Sequence, residues 1–114
     1  MPTSDPAVRL NYCELAVGDT TVSRSFYEQA FGWTFTDFAP TYSATTSDDT
    51  DIGLDADSDA PPLPVCESDD LAATLARVEA AGGTVVKAIF AFPGGHRFHF
   101  VDPDGNELAV WQRD

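Results

Sequence analysis

The chain has 114 residues, 43% of them apolar, and carries 19 acidic against 6 basic side chains, a net charge of −13. That length gives one domain with one real core and excludes two independent domains; the apolar content excludes a disordered chain. The charge argues against nucleic-acid and anionic-membrane partners, because phosphates need a basic footprint.

No apolar run approaches the roughly 18–20 residues a membrane span needs. The first six residues have neither a basic region nor an apolar h-region, so no signal peptide is expected. Two cysteines, Cys13 and Cys66, are too few for a disulfide scaffold, and there is no CxxC. Both fall in predicted strands on the core face, as expected of free thiols in a reducing cytoplasm; a bridge between them is the alternative. Lys87 is the single lysine. An acidic, lysine-poor surface resembles proteins of salt-loving microbes, where ions screen self-repulsion. The alternative is an ordinary acidic bacterial protein.

Residues 1–7 read as a loose arm. Val8 to Val17 alternates as a strand, with Cys13, Leu15 and Val17 on one face and Tyr12, Glu14 and Ala16 on the other. Gly18-Asp19-Thr20-Thr21 breaks it and offers a helix cap. Val22, Phe26, Ala30 and Phe31 recur at helical spacing, predicting an amphipathic helix over Thr20 to Ala30, closed by Gly32. Trp33 to Phe38 alternates again, and Pro40 ends that strand. Tyr42 to Thr46 and Ile52 to Leu54 are short β-rich runs around a polar turn, Asp48 to Asp51. Asp55 to Pro62, with three aspartates and two prolines, reads as a linker. Leu63 to Glu67 is a strand. Asp69-Asp70 caps a helix over Leu71 to Ala81, with Leu71, Leu75 and Val78 on its buried face and Gly82-Gly83 as its stop. Thr84 to Phe90 is a strand, and Pro93-Gly94-Gly95 a turn. In the closing hairpin Phe98 and Phe100 alternate with Arg97 and His99. After the turn Asp102-Pro103-Asp104-Gly105, Leu108 and Val110 alternate with Glu107, Ala109 and Trp111.

The order strand, helix, three strands occurs twice, over about 8–58 and 62–112. This internal repeat makes an α+β chain of two βαβββ modules. Each first strand ends in an acidic cap and each helix ends in glycine. Two such units give a curved sheet with helices outside and a concave face inside.

Three segments carry a family resemblance. They are Leu15-Ala16-Val17-Gly18-Asp19 with Ser25-Phe26-Tyr27-Glu28-Gln29-Ala30-Phe31-Gly32-Trp33, then Asp69-Asp70-Leu71 through Glu79-Ala80-Ala81-Gly82-Gly83, and Phe100-Val101-Asp102-Pro103-Asp104-Gly105-Asn106. In this order and spacing the chain resembles the vicinal oxygen chelate superfamily of glyoxalase I, bleomycin- and fosfomycin-resistance proteins and extradiol dioxygenases. Its Phe31-Gly32-Trp33 is most like the single-domain glyoxalase-like branch. The resemblance implies one domain over 1–114 with the glyoxalase/bleomycin resistance/dihydroxybiphenyl dioxygenase-like fold. In that fold two βαβββ modules form a half-open barrel around a cavity, usually in a homodimer. In the metal enzymes of the family, His or Glu side chains from both modules hold a divalent cation that stabilises an enolate or similar anion.

Carried over position by position, the first metal ligand falls at Tyr12, seven residues before Asp19. The ligand on the first strand of the second module falls at Leu63. The glutamate four residues after the turn glycine falls at Ala109. The fourth ligand, within Asp48–Leu54, has no clear counterpart. Leucine and alanine have no donor atoms and a neutral tyrosine is a poor ligand, so no metal and no other cofactor is expected.

Strand parity places Tyr12, Glu14, Leu63, Val65, Arg97, His99, Ala109 and Trp111 on the concave face. One reading makes Glu14 and His99 proton-transfer groups, Arg97 an anion clamp, and the others the wall of a ligand cavity. The other makes Glu14–Arg97 a salt bridge and His99 a hydrogen-bonded structural residue. A displaced metal site of Glu14, His99 and His96 is a third arrangement, although His96 lies on the opposite parity and reads as a surface residue. Trp33, Phe35, Tyr42 and Trp111 are either an aromatic wall for a flat ligand or packing at a core or dimer seam. The six aspartates of Asp48 to Asp59 lack EF-hand spacing and read as a solvated loop.

Two functions of different class follow. One is a metal-independent protein that binds a small organic molecule in its cavity or dimer groove, as bleomycin-resistance proteins do. The other is a lyase- or isomerase-type enzyme acting through Glu14 and His99 or through an unlocated divalent metal. A partner-binding subunit with a filled cavity is a third. The charge generates a direct test. A halophile-like surface predicts that the unfolded chain refolds well in molar salt and poorly in dilute buffer; equal refolding in both would contradict it.

Overall fold

The computed structural model describes residues 6–47 and 49–114. Residues 1–5 of the expected arm and Asp48 of the expected polar turn lie outside the described residues. The elements are β1 (Val8–Ala16), α1 (Thr20–Phe31), β2 (Thr36–Ala39), β3 (Tyr42–Ala44), β4 (Asp51–Asp55), β5 (Leu63–Ser68), α2 (Leu71–Ala80), β6 (Thr84–Phe92), β7 (Gly95–Val101) and β8 (Glu107–Arg113). This is an α+β chain with βαβββ written twice.

The helix ends follow from local chemistry. The Asp19 carboxylate accepts hydrogen bonds from the Thr21 and Val22 amides at 2.8 and 3.3 Å. These satisfy donors that the first turn leaves without partners. Gly32 closes α1 at φ 73°, where a side chain would be strained, and its amide reaches the Glu28 carbonyl at 3.0 Å. Of the two aspartates before α2, Asp70 is the cap, accepting from the Ala73 amide at 3.1 Å. Asp69 instead accepts from the Ala7 amide at 3.0 Å.

The chain divides into two compact units, residues 11–63 and residues 64–114 together with the chain up to Leu10. In the first unit the strand order is β2-β3-β4-β1. β1 and β4 run parallel with Tyr12 opposite Asp51 and Glu14 opposite Gly53. The remaining pairs are antiparallel. Leu54, Ala44 and Phe35 are its buried apolar residues. In the second unit the order is β5-β8-β7-β6. β5 and β8 run parallel with Val65 opposite Ala109 and Glu67 opposite Trp111, and the hairpins β6–β7 and β7–β8 are antiparallel. Its core is Leu71, Phe98 and Val110, with Cys66, Leu75, Val78, Val85 and Phe100 packed against it.

Four details differ from the sequence pattern. First, the strand expected over Trp33 to Phe38 is ordered as β only from Thr36. Trp33 leaves the pattern to stack on Tyr27, rings 5.4 Å apart and 16° from parallel. Phe35 packs beside the same ring at 6.3 Å. Second, Asp55 belongs to β4 rather than to the linker, since its carbonyl accepts from the Val17 amide at 3.0 Å. Third, β6 extends to Phe92, past the expected end at Phe90, through two register shifts against β7. Fourth, the apolar stripe of α1 is not buried. Val22, Phe26 and Phe31 are 68%, 60% and 59% exposed. Helical spacing defines a stripe but not what covers it. Here Val22 and Phe26, with Leu15, Val17 and Pro62, line a shallow groove of about 430 Å³ in the first unit. Cys13 and Cys66 are free thiols, and burial pushes both upward in pKa. No helix among the described residues is long and apolar enough to cross a membrane.

Phe98 is fully buried at the centre of the second unit's core. Its replacement by alanine removes the largest side chain there and leaves a cavity, a cost of about 3–5 kcal/mol. Chemical denaturation should show the midpoint falling accordingly with the slope unchanged.

Candidate functional site

The register of β5, β8, β7 and β6 decides which side chains share a face. Arg97 is opposite Trp111 and Phe90, and His99 is opposite Ala109 and Lys87. Val65 is opposite Ala109. Directly paired residues project to the same side. Val65, Arg97, His99, Ala109 and Trp111 therefore share one face, and Phe98 and Val110 point the other way into the core. His96 is opposite Gln112 and projects to the opposite side from His99. It is half-exposed and pairs with Asp114 at 3.6 Å. It does not join His99 in a metal site.

His99 is the most deeply set titratable group on that face, 3% exposed. Its Nδ1 lies 2.9 Å from Glu107 Oε2. Its Nε2 is buried and has no hydrogen-bond partner among the described residues. The Phe90 ring lies 6.0 Å away, tilted by 30°. Burial lowers the His99 pKa, Arg97 and Lys87 push in the same direction, and the Glu107 carboxylate opposes them. The Arg97 guanidinium sits over two aromatic rings, 5.6 Å from Phe90 and 5.8 Å from Phe92. Trp111 packs edge-on to Phe92 at 6.0 Å. Arg113 lies over the Trp111 ring at 5.2 Å and grips Glu67 through Nε at 2.6 Å and Nη2 at 3.1 Å. The face is an aromatic wall with one buried imidazole set in it.

In the first unit, Tyr12, Glu14 and Leu63 are half-buried. Tyr12 Oη and Tyr42 Oη form a short hydrogen bond. Tyr42 Oη donates to Glu14 Oε2 at 3.2 Å. Burial, with Tyr12 and Glu14 beside it, raises the Tyr42 phenol above its ordinary value. Both hydroxyls lie over Gly53, where a Cβ would overlap them and come within 2.9 Å of Tyr12 Cζ. Two acids of the aspartate-rich segment accept side-chain and backbone hydrogen bonds. Asp51 accepts from Thr45 Oγ1 and the Ser47 amide, and Asp57 from Thr41 Oγ1.

Single-strand parity grouped Arg97, His99, Ala109 and Trp111, which the register puts on one face; it did not single out Glu107, Phe90, Phe92 or Gly53, and Tyr42 was weighed only as part of an aromatic wall. Glu107 carries the same parity as Ala109 and Trp111. Its diagonal reach to His99 depends on the β7–β8 register, which fixes which residue stands opposite. That register was readable from the four-residue turn. Phe92 lay outside the expected strand. Tyr42 and Gly53 needed the β1–β4 and β3–β4 pairings.

The register also gives Ala109 a counterpart in the first module. Glu14 and Val65 each stand five residues before their helix cap, Asp19 and Asp70. Gly53 is opposite Glu14 as Ala109 is opposite Val65. Gly53 is thus the counterpart of Ala109, and the four positions the resemblance implies are Tyr12, Gly53, Leu63 and Ala109. One phenol, a glycine and two hydrocarbon side chains do not fit a divalent cation. Among the described residues no three His, Cys, Asp or Glu side chains are placed to hold a metal ion.

The fold defines an α+β chain of paired βαβββ modules. Residues 9–110 match the family model of the Glyoxalase/Bleomycin resistance protein/Dioxygenase superfamily, and the chain belongs to that superfamily. Solved structures of the same fold include methylmalonyl-CoA epimerase from Mycobacterium tuberculosis. It is 14% identical, with a TM-score of 0.73 over 100% of this chain and 93% of that one. A superfamily member from Vibrio splendidus 12B01 is 21% identical, with a TM-score of 0.69 over 94% and 98%. The Mn(II)-bound glyoxalase from Novosphingobium aromaticivorans is 24% identical, with a TM-score of 0.68 over 93% of this chain and 40% of that one. No curated protein matches the chain.

Gly53→Ala tests the packing over the fourth position. The added methyl meets both phenols and must displace them, costing roughly 1–3 kcal/mol. Tyr42→Phe in the same background removes one hydroxyl and should recover part of that loss in thermal denaturation.

Proposed function

We propose that this chain is a metal-independent member of the superfamily that binds a small organic molecule against the aromatic face of β6, β7 and β8, in the homodimer the resemblance implies. The observation that carries the reading is the donor set at Tyr12, Gly53, Leu63 and Ala109. A Lewis-acid role would need at least three donors from these positions and the chain offers one phenol. In place of a ligand at Gly53 stand the Tyr12 and Tyr42 hydroxyls, in the space a side chain would need. Around Arg97, the Phe90, Phe92 and Trp111 rings supply flat apolar area of the kind that holds small organic ligands.

A second reading, a lyase- or isomerase-type enzyme, is favoured by one arrangement. Glu107 holds His99 at Nδ1, and the ring's other nitrogen lies buried without a partner. A neutral imidazole backed by a carboxylate is a competent general base. Glu14, hydrogen-bonded by Tyr42, is the other proton-transfer candidate.

Metal analysis of protein purified without chelator tests the first reading. The expected result is far less than one divalent ion per chain and no change in melting temperature on adding Mn(II), Zn(II) or EDTA. One tightly held ion per chain, released together with stability by EDTA, would overturn it. A screen of small organic compounds by thermal shift then separates binder from enzyme. A ligand at a hundred times its Kd stabilises the fold by about 2.7 kcal/mol. His99→Ala should weaken that shift with no product formed by the parent protein; turnover lost in His99→Ala or Glu14→Ala favours the enzyme.

A further inference from the structure

We propose that the exposed face of α1 is the surface on which a second copy of this chain docks, in a two-fold interface centred on Phe26. The inference gives the homodimer of the reading above its contact surface and rests on that part of the reading alone. It begins with a difference between the two helices. The apolar stripe of α2 is covered within its own unit, where Leu71 is buried and Leu75 and Val78 pack against the same core. The stripe of α1 stands open. Val22 and Phe26, one helical turn apart, are both more than half exposed. The open patch is continuous. Val22, Phe26 and Tyr27 line the groove described above. The Phe26 ring meets Tyr27 edge-on at 5.1 Å, Tyr27 stacks on Trp33, and Phe31 lies 5.0 Å from Trp33.

Area and charge say what covers it. Val22, Phe26, Phe31 and Trp33 leave roughly 450 Å² of apolar surface open. A stable dimer buries about 800 Å² per partner, about two-thirds of it apolar in homodimers. The patch therefore supplies nearly the whole apolar share of such an interface. Its charge suits a partner of the same sign. The chain carries a net charge of −13, yet every described residue lining the groove is uncharged. The acids beside it are engaged at home, Asp19 by the Thr21 and Val22 amides and Glu28 by Arg24. A basic partner would be met by carboxylates across the patch; a second acidic copy needs a surface cleared of them. Asp59, exposed beside Ala60 at the rim, is where two copies still repel. Two-fold symmetry sets the same patch against itself. Phe26 both lines the groove and stands out from it, so each copy can offer its ring to the groove of the other.

Sedimentation equilibrium of the full chain, over a range of protein concentrations in dilute buffer and in molar sodium chloride, tests this. The expected result is a monomer–dimer equilibrium that salt tightens. Screening weakens the repulsion between two acidic chains, its length falling from about 10 Å at 0.1 M to about 3 Å at 1 M salt. Phe26→Ala should raise the dimer Kd about thirtyfold, as the loss of a central aromatic anchor does. Val22→Glu should leave the chain monomeric. Both side chains are exposed in the single chain, so the fold survives the changes, and circular dichroism checks that it does. Val86→Glu, at an exposed position on β6, should leave the Kd unchanged. A chain that stays monomeric at millimolar concentration in molar salt overturns the proposal together with the homodimer, and leaves the patch to a different protein or a small ligand. A dimer that keeps its Kd in Phe26→Ala and Val22→Glu, or that Val86→Glu breaks instead, overturns the surface and spares the homodimer. A dimer that salt weakens is held by ionic contacts elsewhere and overturns the surface as well. One tightly held metal ion per chain would overturn the metal-free reading and leave this surface standing.

Discussion

Each module is closed by a parallel pairing of its first strand with its last, which sets Gly53 opposite Glu14 and Ala109 opposite Val65. β1 must reach β4 across a helix and two strands, and β5 must reach β8 in the same way. Parallel strands cannot be joined by a tight turn, so each module needs its long crossover and its helix. Once the pairing is made, the two-residue period of a strand leaves no freedom. Slipping β8 by one residue would turn Ala109 and Trp111 into the core and send Val110 outward. Phe98 and Val110, buried on the opposite face, are therefore what hold the aromatic face and its histidine in place.

Much of this was legible because it is local. Asp19, Asp70 and Gly32 are capping residues whose chemistry is complete within a few positions. The last turn is equally local. Asp102 accepts from the Asp104 and Asn106 amides at 2.9 Å each, and the Gly105 amide bonds the Asp102 carbonyl at 3.0 Å. These bonds, led by the one from the Asn106 side chain, also hold the Asp102 carboxyl below its ordinary pKa. Alternation in one strand likewise separated Phe98 and Phe100 from Arg97 and His99.

What was not legible depended on a second strand or on what covers a face. The spacing of Val22, Phe26 and Phe31 marks a helical stripe correctly, yet the structure leaves it exposed and buries Thr20 instead. Tyr27 draws Trp33 and Phe35 into a ring cluster, an option that a period-two pattern cannot display. Glu107 looked like one more acid among 19 until the register set it diagonally across from His99. Gly53 stood within the short β-rich run Ile52 to Leu54 with nothing in the sequence to single it out. Its lack of a side chain is what lets Tyr12 and Tyr42 meet.

The two modules share a scaffold and differ in how their polar groups are satisfied. Around Gly53 the polar side chains answer one another, Tyr12 to Tyr42 and Tyr42 to Glu14. Such a cluster rigidifies a fold. The charges of the same unit follow that pattern, since Arg24, its one basic residue, is engaged by Glu28 and Asp37. On the β7–β8 hairpin the accounting does not close, because Glu107 satisfies one nitrogen of His99 and leaves the other buried. None of Tyr12, Gly53, Leu63 and Ala109 belongs to the Leu71, Phe98 and Val110 cluster at the centre of the second unit. What the second unit presents is a face on which Arg97 and His99 stand among the Phe90, Phe92 and Trp111 rings.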